Sequence, residues 1–122
     1  MLRLLAGDIV CFFVAAILGF ATHQELEWSS APRFLATWFP FTAAWLIVAF
    51  PAGVYASPRK SRWAGIARAV WAAAISAPLG GVLRSAWLGG GVLPVFVAVM
   101  AAVNVGLILV WRLAESMNPG RA

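Results

Sequence analysis

Apolar and polar positions along this chain alternate in long blocks. Four apolar runs, 4–22, 34–56, 63–88 and 92–113, occupy nearly all of its 122 residues. Each is close to the ~17–25 residues that a helix needs to cross a hydrocarbon core of ~30 Å. The connections are short: 11 residues from His23 to Arg33, a basic turn Pro58-Arg59-Lys60-Ser61-Arg62, and Gly89-Gly90-Gly91. Connections this tight make successive helices antiparallel, because a crossover to a parallel neighbour needs more chain. In lipid, a helix is also the element that satisfies its own backbone polar groups. The pattern predicts an all-α, integral membrane four-helix bundle with up-down topology, formed as a single domain over 1–122.

The runs differ in what interrupts them. Arg3, the apolar centre and Gly19-Phe20-Ala21 give the first run an outline like a signal peptide, but its length and the embedded Asp8 predict a retained helix. The second carries no charge and contains Pro40 and Pro51, so a bent spanning helix is expected there. The third contains Pro78, Gly80 and Gly81, marked as a helix break: it reads either as a packing kink where small residues let backbones approach closely, the favoured reading, or as a broken helix that frees carbonyls for an ion or solute. The fourth has Asn104 near its middle and closes on Trp111-Arg112.

Composition confirms the solvent. Hydrophobic residues make up 63% of the chain and charged residues 11%, against about 25% charged in soluble domains. The net charge of +5 comes from nine basic and four acidic residues. These charges punctuate the apolar runs and form no single basic face, which points to a lipid bilayer as partner and away from nucleic acid. Arg3, Arg59, Lys60, Arg62, Arg68, Arg112 and Arg121 fall on one side of the expected threading, and Arg33 and Arg84 on the other. Seven against two places both termini and the basic turn in the cytoplasm of a multi-pass protein of the cell membrane. Trp28, Trp38 and Trp87 then sit near the outer interface and Trp63 and Trp111 near the inner one, while Trp45 and Trp71 fall deeper, to pack helices or line a groove.

The chain has one cysteine, Cys11, and one histidine, His23. Neither a dithiol pair, a thiolate metal cluster nor a haem held by two histidines of one subunit is available. No phosphate-cradling glycine loop, catalytic triad or metal-binding helix motif is present, so no enzyme activity, metal or cofactor is predicted.

The candidate chemistry is therefore the set of polar residues within apolar runs: Asp8, His23, Arg84, Asn104 and Arg112. An ionisable group in a membrane segment is costly and is a functional candidate for that reason. Asp8 shares its depth with Arg68 and Arg112, and either would lower its cost by pairing. His23, Glu25 and Arg84 share a depth at the other end. Arg68 and Arg84 are 16 residues apart, about 24 Å along a helix, so both also suit interface anchors that snorkel to opposite surfaces. Asn104 is expected to bond to a neighbouring helix.

With Ala6-Gly7-Asp8, His23, Trp38-Phe39-Pro40-Phe41, the Pro78 to Arg84 segment, Phe96 and Trp111-Arg112 in place, the chain resembles domain of unknown function 3054, a family of small four-helix membrane proteins. The resemblance covers nearly the whole chain. It implies the fold, and that Asp8, His23, Arg84 and Arg112 do more than anchor helices; it implies no activity, substrate or cofactor.

Three functions suit these residues. One is a small-solute or ion transporter or channel, in which Arg84 and Arg112 attract an anionic or weakly acidic solute along a path through Pro78–Gly81, as a homodimer. Another is a non-catalytic accessory or scaffold subunit of a larger membrane complex, docked through its tryptophans. The third is a membrane enzyme with Asp8 or His23 as acid-base group.

Overall fold

The computed structural model describes residues 2–22, 29, 31–56 and 61–118. The expectations placed on His23, Glu25, Trp28, Arg59, Lys60 and Arg121 lie outside the described residues. Four helices follow one another: α1 (Leu2–Thr22), α2 (Ala31–Ala49), α3 (Arg62–Leu88) and α4 (Pro94–Ser116), with no strand among the described residues. Each helix touches two others in a closed ring, α1 to α2, α2 to α3, α3 to α4 and α4 to α1, leaving α1 opposite α3 and α2 opposite α4. Side-chain pairs fix the directions. Phe12 lies 5.6 Å from Trp45 and Phe13 lies 5.0 Å from Trp38, so α1 and α2 run antiparallel. Arg3 at the start of α1 meets Glu115 at the end of α4, and Arg84 late in α3 meets Thr37 early in α2. The architecture is the all-α up-down bundle that the apolar blocks predict.

Two helices differ from expectation. The second apolar run was expected to stay helical to residue 56, with Pro51 inside the helix, but α2 ends at Ala49. Gly53 adopts a left-handed φ of 71°, the N–H of Val54 reaches back to the Ala49 carbonyl at 3.0 Å, and that of Gly53 bonds the Phe50 carbonyl at 3.0 Å. These are the paired bonds of a Schellman cap, which glycine forms without a Cβ penalty. Arg68 then donates to the exposed-end Ala52 carbonyl at 3.3 Å, satisfying a group that the helix end leaves over. Pro40 stays within α2.

The third helix corrects the predicted break at Pro78, Gly80 and Gly81: α3 runs unbroken for 27 residues. Pro78 lies on the exposed outer face, where its missing N–H costs one bond without admitting anything into the bundle. Gly80 and Gly81 are buried contact points. A Cβ on Gly80 would fall 2.4 Å from Phe41, and one on Gly81 2.5 Å from Val97. The small residues Ala69, Ala72, Ala73, Ser76, Ala77, Gly80 and Gly81 form the whole buried stripe of α3 after Ile66, which lets α2 and α4 approach closely. Gly89, at φ 76°, caps the helix with bonds to Ser85.

Polarity is distributed inside out. The core holds Asp8, Thr37, Thr42, Ser76, Asn104 and Arg112 beside its apolar members, while Phe39, Ile47, Trp63, Trp71, Ile75, Val82, Trp87, Val95 and Val110 are exposed. α1, α3 and α4 are long and apolar enough to cross a membrane. α2 falls outside that set, with Arg33 in its first turn and two threonines, two prolines and two tryptophans along it.

The glycine stripe sets a direct test. Gly80→Ala is expected to destabilise the bundle by ~1–3 kcal/mol through overpacking against Phe41. Gly106→Ala, where a Cβ meets nothing within 4 Å, is expected to be neutral or to gain up to ~1 kcal/mol from helix propensity. Thermal melts of the two variants in detergent, followed by circular dichroism, give the comparison.

Candidate functional site

The polar residues gather at two opposite ends of the bundle. At one end, the last turn of α4 brings Arg112 against Asp8 in the second turn of α1. Arg112 Nη2 donates to Asp8 Oδ2 at 2.6 Å. Asp8 is 0% exposed and Arg112 7%. Of the two partners that the sequence leaves open for Asp8, the structure selects Arg112; Arg68 is occupied at the end of α2. Tyr55, just beyond the Schellman cap, donates from its hydroxyl to the same Oδ2 at 2.5 Å. Trp45 Nε1 in turn donates to the Tyr55 hydroxyl at 2.8 Å, and the Arg112 guanidinium lies 5.6 Å from the Tyr55 ring centroid. One carboxylate oxygen thus collects two donors in a dry setting, where a charge is tolerated only if paired and hydrogen-bonded.

Room for this cluster comes from Gly7, whose Cβ would overlap the Trp111 indole at 2.1 Å. Outside it, Arg3 and Glu115 form a second α1–α4 bridge at 2.6 Å. Among the described residues, Asp8 Oδ1, Arg112 Nε and Trp111 Nε1 around the pair have no hydrogen-bond partner.

Tyr55 was not among the sequence candidates. It sits in a turn, and the signal that could have found it is Gly53: a capping glycine makes the chain reverse, and the only tyrosine of the chain follows two residues later. Trp45, expected to pack helices or line a groove, is fully buried as a donor to Tyr55, whereas Trp71 is 68% exposed on the outside.

At the opposite end, Arg84 Nε donates to Thr37 Oγ1 at 3.0 Å, and that hydroxyl donates to the Arg33 carbonyl at 3.1 Å. The Arg84 guanidinium lies 4.4 Å from the centroid of Phe96. No carboxylate of the described residues pairs with it. A cavity of about 590 Å³ opens beside it, lined by Ala16 and Gly19 of α1, Arg33 and Thr37 of α2, Arg84, and residues 93–96, 99 and 100 around the start of α4. The first turn of α4 there has Pro94 and no side-chain cap, so its N–H groups add positive potential.

Asn104 belongs to neither end. It is 1% exposed in the middle of α4, and among the described residues neither atom of its amide has a hydrogen-bond partner. Of Asp8, Arg84, Asn104 and Arg112, Arg84 alone lines this cleft. Among the described residues no group of three or more His, Cys, Asp or Glu is placed to hold a metal ion.

A family described as "Protein of unknown function (DUF3054)" matches residues 5–115. The chain belongs to the DUF3054 family. The matched region includes both ends of the bundle, with Asp8, Arg84 and Arg112. No curated protein and no solved structure matches the chain.

The buried pair should behave as a unit. Arg112→Leu or Asp8→Leu alone is expected to cost ~3–5 kcal/mol, since each strands a buried charge, and the double variant is expected to cost much less than the sum. Chemical unfolding in mixed micelles, run as a double-mutant cycle, measures the coupling. Tyr55→Phe, which removes a donor from Asp8 and an acceptor from Trp45, is expected to cost ~1–3 kcal/mol in the same assay.

Proposed function

We propose that this is a multi-pass protein of the cell membrane, threaded with both termini and the 59–62 turn in the cytoplasm. In this reading the Arg84 cleft faces the outer side and takes up a small anionic or weakly acidic solute for passage across the bilayer. The observation that carries it is the cleft itself. An arginine with no carboxylate partner among the described residues lines a space of about 590 Å³, within the ~300–1,000 Å³ range of ligand sites. A guanidinium in an apolar segment is costly, and an anion in the cleft would lower that cost. Arg112 has a different part from the one its sequence position suggested: it is neutralised by Asp8, so the Arg112 end acts as a closed inner plug. Passage then requires this end to open, with Asp8, Tyr55 and Arg112 as the moving contacts.

One observation favours a second reading, an accessory subunit of a larger membrane complex. Trp71, Ile75 and Val82 form an exposed ridge on α3, at a depth where tryptophan has no interfacial headgroup to meet. Purification in mild detergent separates the readings: a stoichiometric partner supports the subunit, and a homodimer alone counts against it.

Two measurements test the main reading. In a Cys11→Ala background, Gly91→Cys is expected to react with a membrane-impermeant maleimide on intact cells, and Ala56→Cys only after permeabilisation; the reverse pattern overturns the orientation. In proteoliposomes, the protein is expected to raise uptake of labelled acetate or benzoate above that of empty vesicles. Arg84→Ala is expected to abolish the increase while leaving the melting profile intact, and undiminished uptake in that variant removes Arg84 from the path.

A further inference from the structure

The walls of the Arg84 cleft say more about its ligand than its charge does. Polar groups occupy only one part of the lining, where Arg84, Thr37 and Arg33 meet. The remainder is Ala16, Gly19, Leu93, Pro94, Val95, Phe96, Val99 and Met100. A small hydrated anion such as fluoride or phosphate would trade its water for one guanidinium and an apolar wall, which desolvates most of its surface without compensation.

The apolar part also opens sideways. Leu93, Val95 and Val99 line the cleft and are at the same time exposed on the outer face of α4, at 62%, 77% and 54%. The rim is thus continuous with the apolar exterior that the bundle presents along its length.

We infer that the cleft is a site for an anionic amphiphile: a carboxylate or phosphate held by Arg84 on an apolar body that lies along α4 and enters laterally from the bilayer. This deepens the solute-binding reading above and rests on it. Arg84 is preset for the role. Its Nε is fixed by Thr37 and its face packs on Phe96, which leaves the two amino ends to form a forked contact with two oxygens of the head group. The apolar body needs no polar partner, and its burial drives binding in proportion to the area removed from water.

The test uses the full chain in nanodiscs of neutral phosphatidylcholine, with cis-parinaric acid, a fluorescent long-chain carboxylate, excited by transfer from the protein's tryptophans. Saturable binding of one molecule per chain is expected, weakened tenfold or more in Arg84→Gln and less in Arg84→Lys. Parinaryl alcohol, which keeps the body and loses the charge, is expected to bind the native chain at least tenfold more weakly and to be indifferent to Arg84→Gln. Val99→Trp, which fills the apolar part, is expected to weaken both probes. Equal affinity for acid and alcohol, or undiminished affinity in an Arg84→Gln variant with a native melt, overturns the proposal.

Mass spectrometry of the purified protein distinguishes the natural sources. A retained acidic phospholipid displaced by parinarate identifies a lipid head group, and a retained free fatty acid identifies a soluble amphiphile. If parinarate fails to bind while Arg84-dependent acetate uptake persists, the amphiphile class falls and the solute reading stands; if neither is seen, both fall.

Discussion

The bond between Asp8 and Arg112 closes the ring of helices. It joins the first helix to the last across 104 residues of sequence, at a place where both side chains are buried. Burying either charge alone costs ~3–5 kcal/mol, a large share of a typical domain's margin of ~5–15 kcal/mol. Each partner therefore imposes the position of the other, and through them the register of α1 against α4. Tyr55 adds α2 to the same point by donating to the same carboxylate oxygen, and Trp45 braces Tyr55 from within the bundle. Three of the four helices are thus tied at one end by a single oxygen atom.

The fourth helix is held by shape. The buried stripe of α3 is almost entirely alanine, serine and glycine, and at Gly80 and Gly81 the side chains of Phe41 and Val97 occupy the space that a Cβ would need. Close van der Waals contact between helices needs small residues on one side wherever a bulky side chain faces it from the other. That requirement explains why the glycines that suggest a broken helix serve packing here, and why the bulky residues of α3 point outward.

The two ends differ in how their arginines are neutralised. At the Arg112 end, carboxylate, phenol and indole close around the charge within the protein. At the Arg84 end, the partners among the described residues are a threonine hydroxyl and an aromatic face, and a cleft opens beside them. At one end the arginine is paired within the protein and at the other it lines a cleft, and this asymmetry is the basis of the proposal that binding takes place at the Arg84 end.

The number of helices, their approximate extents and the antiparallel order were legible in the sequence, because block hydrophobicity and short connections are local properties of the chain. Asp8, Arg84 and Arg112 also stood out, since a charge in an apolar run is visible without knowing its neighbours. What the sequence left open was which groups meet. Arg112 and Arg68 lie at similar depths, and what separates them is that α4 packs against α1 while α3 lies diagonally opposite it. Tyr55 enters the site through a left-handed glycine that turns the backbone after Ala49, and the cleft exists only as the space between helices whose ends are far apart in sequence. The sequence by itself determined that this chain folds as an all-α bundle with embedded charges, because hydrophobic length is read residue by residue. Tertiary structure alone decided which charge is quenched and which faces a cavity, because pairing depends on helix rotation and side-chain packing, which no single segment encodes.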